Sequence, residues 1–182
     1  MEIRGTLTVT NSTFSSNAAT SGEGAAIWLS TGTLVITNST ITGNSATTKG
    51  GGIYDFSSGG TTSLVNTILA GNTAATSPDC FGSPTSLGSN LIGNNSGCSY
   101  TSASGDLVGT FSTPIEPLLG TLQDNGGPTF THELLTGSPA IDNGNDSAAP
   151  ATDQRGTSRP PTSVRSSWSP AHRSPGLLGG GC

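Results

Sequence analysis

Charge is scarce in this chain: Asp, Glu, Lys and Arg make up 9% of its 182 residues, against about 25% in an ordinary globular protein. Surface helices laced by ion pairs four residues apart are therefore excluded. The six bases are also too few for a nucleic-acid or anionic-membrane face, which must displace counterions from phosphate. Their placement strengthens the exclusion. All eleven acids lie at or before Asp153, so residues 1–154 carry −9, and the basic end is Arg155, Arg159, Arg165 and Arg173. Aromatic residues reach 5% and all hydrophobic residues 31%, too little for a thick core. No apolar run approaches the roughly 18 residues that cross a bilayer, and Met1–Gly5 lacks the basic start and apolar stretch of a signal peptide. Two His and three Cys are too few and too scattered for a metal set, so neither metal nor cofactor is expected.

What abounds is glycine, 27 residues, together with Thr, Ser and Asn. These residues disfavour helices and suit stacked β-structure with polar ladders at its turns. Self-similarity gives the arrangement. Gly5-Thr6-Leu7-Thr8-Val9-Thr10-Asn11-Ser12-Thr13-Phe14-Ser15-Ser16-Asn17 recurs as Gly32-Thr33-Leu34-Val35-Ile36-Thr37-Asn38-Ser39-Thr40-Ile41-Thr42-Gly43-Asn44. A looser copy runs from Gly60 to Thr73. Asn11, Asn38 and Asn66 are spaced by 27 and 28 residues, and Asn17, Asn44 and Asn72 repeat the same steps. Between them, Gly24-Ala25-Ala26-Ile27-Trp28 matches Gly50-Gly51-Gly52-Ile53-Tyr54.

Each period holds three short stretches with strand chemistry, Leu7–Thr10, Thr13–Ser15 and Ala26–Leu29 in the first, and no helical pattern between them. A βαβ unit is excluded, and the period predicts an all-β right-handed parallel β-helix in which one period is one coil. Leu7 over Leu34, Val9 over Ile36 over Leu64, Phe14 over Ile41 over Leu69, and Ile27 over Ile53 then fill a narrow interior. The two asparagine series form ladders, because Asn accepts a left-handed turn conformation and its amide can bond the copies above and below. Gly50-Gly51-Gly52 marks a corner where side chains would clash. The expected organisation is coils over 1–77, a disulfide-clamped surface loop over 78–100, irregular coils capping the solenoid over 101–154, and a disordered tail over 155–182. Pro161–Cys182, rich in Ser, Pro, Arg and Gly without alternation, is expected to come from a shifted reading frame.

Phe14-Ser15-Ser16-Asn17, with Ile41–Asn44 and Leu69–Asn72 as conservative copies, resembles the Phe-x-x-Asn half of the repeat of chlamydial polymorphic outer-membrane proteins. Gly24-Ala25-Ala26-Ile27 and Gly50-Gly51-Gly52-Ile53 resemble its Gly-Gly-Ala-Ile half. Such repeats also occur in bacterial surface proteins of the right-handed parallel β-helix, or pectin-lyase-like, class. Gly105-Asp106-Leu107, Leu122-Gln123-Asp124-Asn125-Gly126-Gly127-Pro128-Thr129, Gly137-Ser138-Pro139-Ala140-Ile141-Asp142 and Thr152-Asp153-Gln154-Arg155-Gly156 are similar to the ends of large secreted proteins of this kind. The resemblance implies export to a bacterial surface. It also implies a parent with more coils and a signal peptide, of which this chain is an N-terminally truncated piece.

Cys80 and Cys98 enclose 17 residues with little apolar content. With no His or third Cys nearby, a disulfide is expected rather than a metal pair. Closing that loop adds on the order of 3 kcal/mol in the chain-entropy model, and it implies an oxidising compartment. Glycan cleavage on a β-helix needs acids stacked at one coil position, but Asp55 is matched by Leu29 and Glu23 by Lys49. Asp55 and Lys49 are accordingly solvated turn residues. A triad of His132 with Ser138 and Asp142 lacks nucleophile-elbow spacing, which leaves His132 as a structural residue. Trp28 and Tyr54 fall at equivalent positions beside inward Ile27 and Ile53, so alternation points them outward as a candidate ligand platform.

The functional expectation is a non-enzymatic adhesive or structural segment of a secreted or cell-surface bacterial protein, with carbohydrate or a host or neighbour-cell surface protein as partner. The alternative is a remnant of a polysaccharide lyase or glycoside hydrolase whose catalytic coils lie upstream. An open first coil is expected to favour self-association.

Overall fold

A computed structural model describes residues 1–57 and 59–159 of the chain. It is a parallel β-solenoid of about three turns, 38% strand and 2% helix. The first turn carries β1 (Glu2–Thr10), β2 (Thr13–Ser15) and β3 (Ala18–Ala19). The second carries β4 (Ile27–Thr37), β5 (Thr40–Thr42) and β6 (Ser45–Ala46), and the third β7 (Ile53–Asp55), β8 (Thr61–Val65) and β9 (Ile68–Leu69). Shorter arcs follow: β10 (Cys80–Phe81), β11 (Thr85–Ser86) and β12 (Leu91–Ile92), then β13 (Leu107–Val108). Every pair between these strands is parallel.

The register stacks Leu7 on Leu34, Val9 on Ile36 on Leu64, Phe14 on Ile41 on Leu69, and Ile27 on Ile53. These side chains form one continuous core with Ile3, Leu29, Cys80 and Ile92. No corner separates Ala26–Leu29 from the next repeat. β4 runs straight through it as an 11-residue strand, pairing its first half with β7 and its second with β8. Glycine permits this, because a Cβ on Gly32 would lie 2.1 Å from the Gly5 carbonyl oxygen of the coil before.

At the expected corner, the Gly50-Gly51-Gly52 run, a Cβ on Gly52 would sit 2.4 Å from the Asp79 carbonyl oxygen and 2.5 Å from Leu69 Cδ1. Backbone on one side and a packed core residue on the other leave no room to yield. Gly52→Ala is therefore expected to cost about 2 kcal/mol, whereas Gly5→Ala, with nothing within 4 Å, is expected to be nearly neutral. Equal urea midpoints for the two variants would contradict this packing.

Two expected boundaries are corrected. Residues 78–100 are not a surface loop. Phe81 stacks on Tyr54, Ser86 on Leu64, and Leu91–Ile92 on Ile68–Leu69, so the segment is a further, contracted coil. Cys80 is fully buried, and Cys98, bridged to Gly82 from the next arc, lies at disulfide distance with a Cα–Cα separation of 5.6 Å. The pair therefore joins successive arcs rather than clamping a loop.

Residues 101–154 add one arc and then leave the solenoid axis. From Ile115 they fold through an antiparallel hairpin, Leu119 opposite Leu134 and Gln123 opposite Thr131, and return along the outer flank. Asn143 Nδ2 donates to Gly105 O at 2.7 Å, the Asn145 amide to Asn66 Oδ1 at 2.7 Å, and Asn11 Nδ2 to Thr152 O at 2.9 Å. The segment thus climbs from the last arc to the first. It is a lateral strap rather than an end cap. Its apolar part, Ala140 with Leu119 and Leu134, covers the outward Ile68, Ala70 and Leu91, giving that sheet a second core on its far side. The ordered strap extends to Arg159 through a tight turn on Asp153, whose carboxylate pairs with Arg155 at 2.6 Å. The expectation of disorder from 155 is corrected for residues 155–159. The reading-frame expectation for the remainder of the tail lies outside the described residues.

Candidate functional site

Alternation along β4, β7 and β10 places Ile27, Ile53 and Cys80 inside and puts Trp28, Tyr54 and Phe81 in one register on the outer wall. Tyr54 meets Trp28 edge-on at 5.9 Å between ring centroids and stacks on Phe81 at 5.0 Å. Phe56, two residues on, stacks on Tyr54 at 5.9 Å, and Lys49 Nζ lies 4.7 Å from the Phe81 ring centroid. Such ring pairs each add about 0.5–1.5 kcal/mol beyond the area they bury.

The expectation of an exposed Trp28 and Tyr54 pair is corrected in part. Tyr54 is only 8% accessible because three neighbouring rings cover it, whereas Phe56 is 67% accessible and Trp28 and Phe81 are half-buried. Tyr54 is the floor of the patch and Phe56 its exposed surface. Burial, with Glu23 nearby, raises the Tyr54 phenol above its ordinary value. Trp28 Nε1 is buried and has no hydrogen-bond partner among the described residues. Asp55 is a turn staple: it accepts from the Ser57 amide and hydroxyl and from Thr62 Oγ1 at 2.8 Å. Lys49, half-buried over Phe81, is likewise more than a solvated turn residue.

The asparagines divide into two series of different character. Asn11, Asn38 and Asn66 all adopt left-handed backbone, with φ of 47°, 51° and 50°. Asn38 Nδ2 donates to Asn11 Oδ1, but Asn66 turns to the strap, accepting from the Asn145 amide and donating to its carbonyl. The other series is continuous. Asn17 Nδ2 donates to Asn44 Oδ1 at 2.8 Å, Asn44 Nδ2 to Asn72 Oδ1 at 2.8 Å, and Asn72 Nδ2 to Asp79 Oδ1 at 2.9 Å. The chain of donors runs one way and ends on an acceptor-only carboxylate.

A second buried polar column ends the same way. The Thr67 amide donates to Asn90 Oδ1 and the Asn90 amide to Asp106 Oδ1, while Asp106 Oδ2 accepts from Ser86 Oγ and from the Tyr100 hydroxyl at 3.0 Å. Burial raises the Tyr100 phenol well above its usual range. Sequence reasoning missed both aspartates, because each takes the place of an amide just where the period contracts.

His132 is brought neither to Ser138 nor to Asp142. Its Nε2 lies 2.8 Å from Ser15 Oγ and its Nδ1 2.7 Å from Gly120 O, while Ser138 Oγ donates to Pro117 O. Beside His132 a small polar cleft of about 40 Å³ opens between strap and coils, lined by Thr13, Thr40, Thr131, Gln154 and Arg155 among others. Among the described residues, no helix is long and apolar enough to cross a membrane, and no group of three or more His, Cys, Asp or Glu is placed to hold a metal ion. No known family, curated protein or solved structure matches the chain.

Proposed function

We propose that this chain is an adhesive segment of a secreted or cell-surface bacterial protein, a β-solenoid that holds a glycan on its wall rather than cutting it. The observation that supports this reading is the aromatic patch of Trp28, Tyr54, Phe56 and Phe81 on consecutive rungs. Phe56, 67% accessible and backed by the stacked Tyr54, offers an apolar ring to the apolar face of a sugar, with Trp28 and Phe81 on the neighbouring rungs. Lys49 at the edge adds a cation. The likeness of Phe14–Asn17 and Gly24–Ile27 to bacterial surface repeats supports the location, as does the Cys80–Cys98 pair, which an oxidising compartment would close.

The test is binding of the purified chain to a glycan array and to bacterial and host cells. Phe56→Ser removes the exposed ring and Phe81→Ser a half-buried one, while both leave Tyr54 in place. Each is expected to weaken binding about tenfold, the equivalent of one ring pair. Unchanged binding by a folded double variant would refute the aromatic contact surface.

A further inference from the structure

We propose that Ser15 and His132 form an acyl-transfer dyad acting on esters, a capability separate from adhesion. The two residues are 117 apart in sequence and meet only because the strap crosses the first coil. Ser15 ends β2, a strand held in register by β5, and the next residue, Ser16, is in the left-handed region at φ 58°. In the coils above, that position is glycine, Gly43 at 66° and Gly71 at 70°, so the strained non-glycine residue accompanies the serine that meets the histidine. Residues held in sparsely populated backbone conformations cluster at reactive sites.

The hydrogen bonds fix the histidine tautomer. Gly120 O, 2.7 Å from Nδ1, is a carbonyl and can only accept, so Nδ1 carries the proton. Nε2 is then a lone pair, and at 2.8 Å it accepts from the Ser15 hydroxyl. A nucleophile within reach of a base that a third group orients is the arrangement that activates serine. Both residues are half-buried.

The reaction balances with water as the only co-reactant. Ser15 Oγ bonds to the ester carbonyl carbon as its proton passes to His132 Nε2. The carbon to leaving-oxygen bond then breaks, and the alcohol departs with the proton from Nε2. Water attacks the acyl-Ser15 carbonyl, its proton moving to Nε2. Collapse releases the carboxylic acid and returns the proton to Ser15 Oγ.

The full chain treated with a fluorophosphonate probe is expected to take one label, located on Ser15 by peptide mass spectrometry. It is also expected to turn over p-nitrophenyl acetate. Ser15→Ala should remove the label, and His132→Gln should slow labelling and turnover at least about 100-fold, the usual contribution of a general base. Circular dichroism melts establish that each variant is folded. A chain that takes no label, or takes it equally on other serines, or a folded Ser15→Ala variant that turns over the ester at the parent rate, would overturn the proposal. His132 would then be a latch that only fastens the strap. Glycan binding by the same Ser15→Ala variant should be unchanged, so failure here and failure of the adhesive reading are separable.

Discussion

Asn44→Ala is expected to remove about 4 kcal/mol of stability, a large share of the 5–15 kcal/mol that holds a domain of ordinary size. Asn44 is fully buried. Its Oδ1 accepts from both the amide and Nδ2 of Asn17, and its Nδ2 faces Asn72 Oδ1, Thr42 O and Phe14 O at 2.8–3.1 Å. Alanine deletes the middle rung: the Asn44 amide still donates to Asn72 Oδ1, but the Phe14 and Thr42 carbonyls lose the side-chain donor between them. A buried polar group left without a partner costs about 1–3 kcal/mol, and at least two are stranded here. Asn17, at the exposed start of the same ladder, has water to replace its bonds, so Asn17→Ala is expected to cost about 1 kcal/mol or less. Urea denaturation of the two variants checks the contrast. Midpoint shifts of similar size would mean that the ladder contributes no more inside the solenoid than at its open end.

The inside of the solenoid was legible because stacking imposes its period directly on the sequence. Residues such as Val9, Ile36 and Leu64 must repeat at the length of a coil, and the same constraint marked Asn11, Asn38 and Asn66 as left-handed turn residues. Legibility ended where the period contracted. The left-handed column continues through Ser89 at φ 53° and Gly105 at 79°, but the steps from Asn66 to these are 23 and then 16 residues. A search at a fixed 27 residues passes over them and finds a loop. Leu91–Ile92 and Leu107–Val108 are copies of Ile68–Leu69 whose connecting segments have been trimmed. The strap was illegible for a different reason. It bonds to the coils through single side-chain contacts such as Thr13 Oγ1 to Gln154 Oε1 at 2.8 Å, and isolated polar contacts of that kind leave no periodic trace. The pairing of Ser15 with His132 belongs to this class. The aromatic patch was half legible: Trp28 and Tyr54 share the repeat, whereas Phe81 lies in the contracted coil and Phe56 has no counterpart.

Acidification is expected to stabilise the fold between neutrality and about pH 4, because of Asp79. This carboxylate is 2% accessible, and burial raises its pKa to about 6. Hydrogen bonds from the amide and side chain of Asn72 and from the Asn94 amide pull it down, and Glu116 pushes it up, but loss of hydration dominates. In the unfolded chain the same group titrates near 3.9. Between those values the native state holds the extra proton, so stability is fully present below about pH 4 and is lost as pH rises through about 6. The span corresponds to about 3 kcal/mol at 1.4 kcal/mol per pKa unit. Asp79→Asn removes the ionisation. Its retained Oδ1 can still accept from Asn72, but an NH₂ group now faces the Asn94 amide that Oδ2 had accepted at 2.7 Å. The variant is therefore expected to lose the pH dependence without recovering the whole 3 kcal/mol at neutrality, since two donors in opposition cost about 1–3 kcal/mol. Melting temperatures of parent and variant from pH 4 to 8 give the difference directly, with every other titrating group common to both. Parallel curves would show that the ladder ends on a carboxylate that stays charged throughout, held by its three N–H donors against the cost of burial.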